Sequence, residues 1–222
     1  MNKIVYGILA FLFLAVVAAL VAPGLIDWNR YKDKIIAHAS QGLGRQLSVD
    51  GNISLAILPV PAFSVTGIRI GSLDGSGAPE MLRLKSLDVQ VALLPLLVGS
   101  LEVARIVLVE PDMTLERLTD GRGNWVFPNL NFGTDEGKTT SSLPLISIEE
   151  LRIQNGTLTY SDSIKGLTER FEKINVTLSV PSLVGPFEIT GRVEFQNIGL
   201  EIETGIVELV TDRRIAVKGT AL

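Results

Sequence analysis

The chain has 222 residues, 46% of them hydrophobic, with 20 Lys and Arg against 24 Asp and Glu, a formal charge of −4, no cysteine and one histidine. Without cysteine there are no disulfides, thiolate metal sites or cysteine nucleophiles; a single histidine makes no His cluster, and the place of His38 on the expected juxtamembrane helix argues against a His-based triad. No basic block is present to neutralise phosphates and aromatics make up only 6%, so nucleic-acid binding is disfavoured.

From Ile4 to Ile26 no residue is charged. A bilayer core about 30 Å thick needs ~20 apolar residues in a helix rising about 1.5 Å each. Residues 1–23 are therefore expected to form a transmembrane signal-anchor. A secretory signal cut after Ala19 is the competing reading, although such signals have apolar centres of only roughly 7–15 residues. Lys3 and the chain amine on one side face Arg30, Lys32 and Lys34 on the other, so charge counting does not support a cytoplasmic N-terminus.

Residues 24–44 read as a short amphipathic helix. Asp27 is its expected cap, Ile35, Ile36 and Ala39 its apolar stripe, and Gly42 and Gly44 its stop residues. Trp28 and Tyr31 stand where a membrane-interface belt would lie. Packing of the helix on a sheet edge explains them equally well.

Residues 45–128 form an expected first β section. Gln46–Val49 and Ile53–Leu58 flank Asp50-Gly51, which suits a tight hairpin turn. Strands are expected at Ser64–Ile70, Met81–Leu84, Leu87–Leu94, Leu101–Val109 and Met113–Leu118, with a single helical turn within Pro95–Ser100. Residues 129–144 are polar and read as a flexible loop. A second β section is expected over 145–222, with strands at Leu145–Ile153, Gly156–Asp162, Ile174–Val180, Phe187–Phe195, Leu200–Thr204, Ile206–Val210 and Ile215–Lys218, and a second hairpin signal at Asn155-Gly156.

Alternation is cleanest in that second section. Ile174, Val176, Leu178 and Val180 share one face of their strand, as do Phe187, Ile189, Gly191, Val193 and Phe195 of the next. An apolar sheet face must be covered by something. With no second long helix in the pattern, the candidates are another sheet, a closed barrel, another protein or apolar ligands.

An ordered series of short motifs narrows these options. Pro23, Asp27-Trp28 and Tyr31 are followed by Gly44-Arg45-Gln46-Leu47, Gly51-Asn52-Ile53 and Leu58-Pro59-Val60-Pro61. Leu94-Pro95-Leu96-Leu97-Val98-Gly99, Glu110-Pro111, Gly123-Asn124-Trp125 and the block Ile148 to Asp162 then come in turn. The succession resembles the amino-terminal region of the AsmA family, membrane-anchored proteins of the Gram-negative envelope. The resemblance implies a single-pass inner-membrane protein with a cytoplasmic N-terminus and a periplasmic β part. It also implies kinship with bridge-like lipid carriers, in which a long twisted sheet forms a gutter with an apolar floor. Members are usually much longer, so a fragment and a naturally short relative are both open readings.

The expected fold is thus mainly β: a transmembrane helix, a short amphipathic helix, then a long twisted antiparallel sheet forming an open apolar groove. Roughly twelve strands at ~4.8 Å spacing would give a gutter on the order of 60 Å. Its floor is expected to include Ile174, Val176, Leu178, Val180, Phe187, Ile189, Val193 and Phe195. A ligand-free closed sandwich is the rival architecture.

No motif gathers acid/base partners or metal ligands. Glu149-Glu150 and Asp162-Ser163 read as strand-edge or turn residues, and Gly75-Ser76-Gly77 lacks the strand–turn–helix context of a phosphate loop. The expectation is a non-enzymatic protein without cofactor or metal, whose partners are membrane lipids through their acyl chains. Its function would be phospholipid transport and outer-membrane homeostasis. The alternative is an envelope scaffold influencing outer-membrane protein assembly through exposed strand edges. Trp125 either plugs the end of a groove or covers a sheet edge after a turn.

Overall fold

A computed structural model describes residues 2–97, 100, 102–127, 148–179 and 187–207. Helix α1 spans Asn2–Leu25 and carries Pro23 near its end. Among the described residues no helix is long and apolar enough to cross a membrane. The transmembrane span expected over 1–23 is therefore not part of the fold as described. What α1 does present is a surface of exposed apolar side chains, with Ile4 and Phe11 each 71% exposed.

The expected single helix after Asp27 is divided in two. Asp27 accepts a hydrogen bond from the Asn29 N–H at 3.1 Å and caps a 3₁₀ turn, Trp28–Tyr31, and α2 follows at Lys32–Leu43. Gly44, at φ 63°, closes α2 by donating back to Ser40 and Gln41. Gly42 lies inside the helix. Trp28, Ile35 and Ile36 pack on the buried cluster of Val49, Ile53, Val65, Ile68 and Leu84.

The strands are β1 (Leu47–Val49), β2 (Ile53–Ala56), β3 (Ala62–Gly71), β4 (Glu80–Val91), β5 (Val103–Arg117), β6 (Ile148–Asp162), β7 (Leu167–Ser179), β8 (Phe187–Phe195) and β9 (Ile198–Val207). A five-residue helix, α3 (Leu93–Leu97), overlaps the turn expected within Pro95–Ser100 and takes in Leu93 and Leu94, which were expected to end a strand. All nine strands form one open sheet in the order β1-β3-β4-β5-β6-β7-β8-β9, with β2 also on β3. Val180, the expected loop 129–144 and the strand expected at Ile215–Lys218 lie outside the described residues.

Several expectations are corrected. The sheet is mixed, because β5 and β6 run parallel, from Val103 opposite Ile148 to Arg117 opposite Asp162. A parallel pair needs a long return connection. The chain from Leu118 to Ser147 provides it. Asp50-Gly51 makes no hairpin: β1 and β2 lie end to end along the same partner, β3. The strand pairs expected on either side of Lys85, Glu110-Pro111 and Asn155-Gly156 are single long strands, and β7 begins at Leu167, seven residues before the expected Ile174.

These misread breaks have one cause. Apolar residues on one face are three positions apart at Val65/Ile68, Leu84/Leu87, Leu108/Pro111 and Ile153/Gly156, in neighbouring strands and at matching register, and at Phe171/Ile174 of β7, one row further on. Each of β3 to β6 thus steps at the same line across the sheet, and β7 steps one row beyond it. Gly67, Glu110, Asn155 and Lys173 adopt positive φ at these steps, at 67°, 47°, 51° and 48°. A bulge adds a residue and bends its strand. Register shifts place such bulges in β6 and β7, β3 to β5 step in concert, and together the steps make a transverse crease.

Polar contacts brace the crease. Lys32 Nζ donates to the Gly51 carbonyl at 2.7 Å, Lys85 pairs with Glu110, and Asn175 Oδ1 accepts from the Asn155 N–H at 2.9 Å. Lys173 pairs with Glu194 at 2.7 Å, and that hydrogen bond holds its ammonium above the ordinary lysine range. Left-handed backbone costs a side-chain-bearing residue about 1–2 kcal/mol, least for Asn. Asn155→Gly is expected to leave stability unchanged within about 0.5 kcal/mol, whereas Asn155→Val should lose about 1–2 kcal/mol in urea denaturation. Equal midpoints for the two variants would refute a strained crease at this position.

Candidate functional site

The register assembles the apolar residues into rows that cross the sheet. One row runs Phe63, Val89, Ile106, Leu151, Leu178, Ile189. The next runs Val65, Leu87, Leu108, Ile153, Val176, Gly191. Beyond the crease, Leu82, Met113, Leu158, Phe171 and Phe195 continue the same face. Without the steps at the crease, half of each strand would turn its apolar residues to the opposite side.

The opposite side is charged. Glu150 there meets Arg105 at 2.9 Å and Arg152 at 3.0 Å, Arg192 meets Glu201 at 3.1 Å, and Arg170 meets Glu172 at 2.8 Å. Such exposed pairs contribute little stability, roughly 0–1 kcal/mol each. Their consequence is polarity: this side is wet and the other is not.

Of the expected floor residues, the structure brings Ile174, Val176, Leu178, Ile189, Val193 and Phe195 onto that single face. Ile174 and Val193 are buried, and Val176, Leu178, Ile189 and Phe195 are half-buried. The Phe195 and Phe171 rings stack with centroids 4.8 Å apart. Phe187 opens β8 and pairs with Val207. Gly191 is required by close approach, since a Cβ there would lie 2.2 Å from the Asn175 carbonyl oxygen. The interface candidates separate: Trp28 is half-buried, with its Nε1 donating to the Pro23 carbonyl at 2.9 Å, while Tyr31 is exposed.

Coverage of the face is uneven. The 3₁₀ turn and α2 pack over the cluster that β1 to β4 contribute. Over β5 to β9, among the described residues, no second layer of helix or sheet is packed. The chain after β5 does close one end. Trp125 lies 6.1 Å from Tyr160, ring centroid to centroid, beside the last apolar residues of β5 and β6.

What holds that closing segment was missed by sequence reasoning. Asn124 is fully buried at 0% exposure. Its Oδ1 accepts from the Glu116 N–H at 2.9 Å, and its Nδ2 donates to the Thr114 carbonyl at 2.8 Å and to Ser72 Oγ at 3.1 Å. Arg45 Nη2 donates to the Asn124 and Val126 carbonyls at 3.0 and 2.9 Å, and its guanidinium sits 5.6 Å from the Phe127 ring centroid. The Gly123-Asn124-Trp125 triplet was visible, but attention to the indole hid the amide. Asp162, 1% exposed, accepts from the Ile164 and Lys165 N–H groups at 3.0 Å and caps the β6–β7 turn. Among the described residues no group of His, Asp and Glu is arranged to hold a metal, and His38 is exposed on α2.

Comparison with known proteins places this architecture. The family model described as "AsmA family" matches residues 1–219. The chain belongs to the AsmA family. AsmA family protein YhjG of Escherichia coli (strain K12) is 24% identical over 205 residues, covering 86% of this chain and 29% of that protein. This AsmA family chain therefore spans less than a third of the length of the curated relative it matches. No solved structure matches it.

Proposed function

We propose that this AsmA family chain is a membrane-attached lipid-binding module of the Gram-negative envelope, which takes phospholipid acyl chains on its apolar face during lipid transfer and outer-membrane maintenance. The observation that carries this reading is the continuation of the apolar rows over β5 to β8, beyond the cover given by α2. Each methylene moved from water onto such a face contributes roughly 0.8 kcal/mol, without direction and hence with little selectivity for chain type. Attachment is assigned to α1, through its exposed apolar side chains and the uncharged run Ile4–Ile26. A single pass through the inner membrane, with the N-terminus cytoplasmic and the sheet periplasmic, is part of the same proposal. No step calls for a catalytic group or a cofactor.

The outer edge of β9, unpaired among the described residues, favours a second reading as an envelope scaffold that pairs with partner strands. Photocrosslinking in the living envelope separates the two. With p-benzoylphenylalanine in place of Val176, Leu178 or Ile189 of the full chain, phospholipid adducts are expected; at Thr177 or Thr190, one position away on the charged side, none. Adducts of equal yield at both sets, or none at either, would discard lipid binding on this face. Protein adducts from β9 alone would then promote the scaffold.

A further inference from the structure

The two ends of the sheet differ in chemistry. Strand directions bring the β3–β4 connection (residues 72–79), the β6–β7 turn (163–166) and the Gln196-Asn197 turn to one end. That end carries charge, with Asp74 and Lys165 beside Ser76 and Asn197, although Ile164 and Ile198 are exposed there at 55% and 62%. The β2–β3 connection (57–61) and the β4–β5 connection (92–102) lie at the other end. No charged residue occurs between Asp50 and Arg69 or between Asp88 and Glu102.

The apolar connections are also turned outward. Leu58 is 44% exposed, Val60 48%, Leu94 77% and Leu96 37%. Pro59, Pro61 and Pro95 stiffen them, and the Val91 N–H donates to the Pro61 carbonyl at 2.9 Å, which ties the two tips together. The first tip leaves from β2, the strand against which α1 lies. Large side chains exposed on neighbouring tips are costly in water. A bilayer beside α1 is the one environment on hand that accepts them.

We propose that this end of the sheet inserts into the lipid surface that holds α1, with Leu58, Val60, Leu94 and Leu96 as the inserted side chains. The apolar face then opens directly onto acyl chains, and a lipid moves from bilayer to face without crossing water. The inference rests on the membrane attachment and lipid binding proposed above. It also predicts how binding behaves: the tips carry no Lys or Arg, so insertion depends on neither anionic lipid nor ionic strength.

The chain is free of cysteine, so a single introduced thiol labels one site only. In the full chain reconstituted into vesicles of phosphatidylethanolamine and phosphatidylglycerol, nitroxides are placed at Val60→Cys, Leu94→Cys, Asp74→Cys and Lys165→Cys. Power saturation should find positions 60 and 94 several-fold more accessible to oxygen, relative to a nickel chelate, than 74 and 165, at every phosphatidylglycerol fraction. Equal nickel access at all four positions would overturn the inference. Lipid crosslinking at Val176 in the same vesicles keeps the two proposals apart: adducts with water-exposed tips refute insertion alone, while inserted tips without adducts uphold insertion and refute the lipid-binding face. A variant with serine at Leu58, Val60, Leu94 and Leu96 should fold and yet move fluorescent phospholipid to acceptor vesicles several-fold more slowly. An unchanged transfer rate would count against insertion.

Discussion

Val176→Asp combined with Leu178→Asp is expected to leave the protein folded and strip it of lipid. Both side chains are half-buried on the part of the apolar face over which no described layer packs. In the empty state the new carboxylates stay hydrated, so the cost in stability should be below about 1 kcal/mol. Acyl chains laid over them would dehydrate the charges at several kcal/mol each. Bound phospholipid should therefore fall by more than about tenfold, the equivalent of roughly 1.4 kcal/mol. Lipid extraction with mass spectrometry reads the occupancy, and urea denaturation reads the fold. Val193 is the wrong place for this experiment because it is buried at 8% exposure, and a charge there would unfold the sheet whatever its function. If Val176→Asp itself unfolds the chain, the face is a closed core and the lipid-binding proposal fails with it.

Asn124→Ala should be the most damaging small truncation among the described residues. It leaves the Glu116 N–H, the Thr114 carbonyl and the Ser72 hydroxyl without their partner, at a position with no solvent exposure. Orphaned buried groups cost about 1–3 kcal/mol each, partly relieved by relaxation, so a total of about 3 kcal/mol is expected. For a domain of this size that lowers Tm by roughly 6–12 °C. Asn124→Asp is no rescue, because it keeps the acceptor, loses both donors and buries a charge. The Trp125 indole, freed from its place near Tyr160, should shift its fluorescence to the red in both variants. A Tm within about 2 °C of the parent would show that the amide's hydrogen bonds are replaceable by water.

The legible part of this fold was its alternation, and the illegible part was where alternation stops. The apolar positions of β7 and β8, from Ile174 to Leu178 and from Ile189 to Phe195, read cleanly because a two-residue period needs only local information. Asn155-Gly156 read as a hairpin because a residue tolerant of positive φ suits a turn and a bulge alike. Only the partner strands decide between them. The parallel pairing of β5 and β6 depends on a return path of some thirty residues that carries no periodic signal. Leu167–Glu172 was missed because Glu169, Arg170 and Glu172 mask the strand pattern with charge, and nothing in one sequence reveals that this stretch pairs with Leu158–Asp162. At the site, the rows of apolar residues were half visible. The Asn124 network was not, since a lone amide gives no hint of being wholly enclosed.

The crease has a mechanical consequence. A single layer with one face unsupported would flex like a sheet of paper along the direction in which strands succeed one another. Steps aligned across β3 to β6, and one row on in β7, bend these strands together, so this part of the sheet has an angled cross-section rather than a flat one. An angled strip resists sagging along its length for the reason a creased card or a steel tape does: any lengthwise bend must stretch one flank and compress the other. Stiffness that most proteins obtain from a second layer is supplied by shape over β5 to β7, where among the described residues no second layer packs on the apolar face.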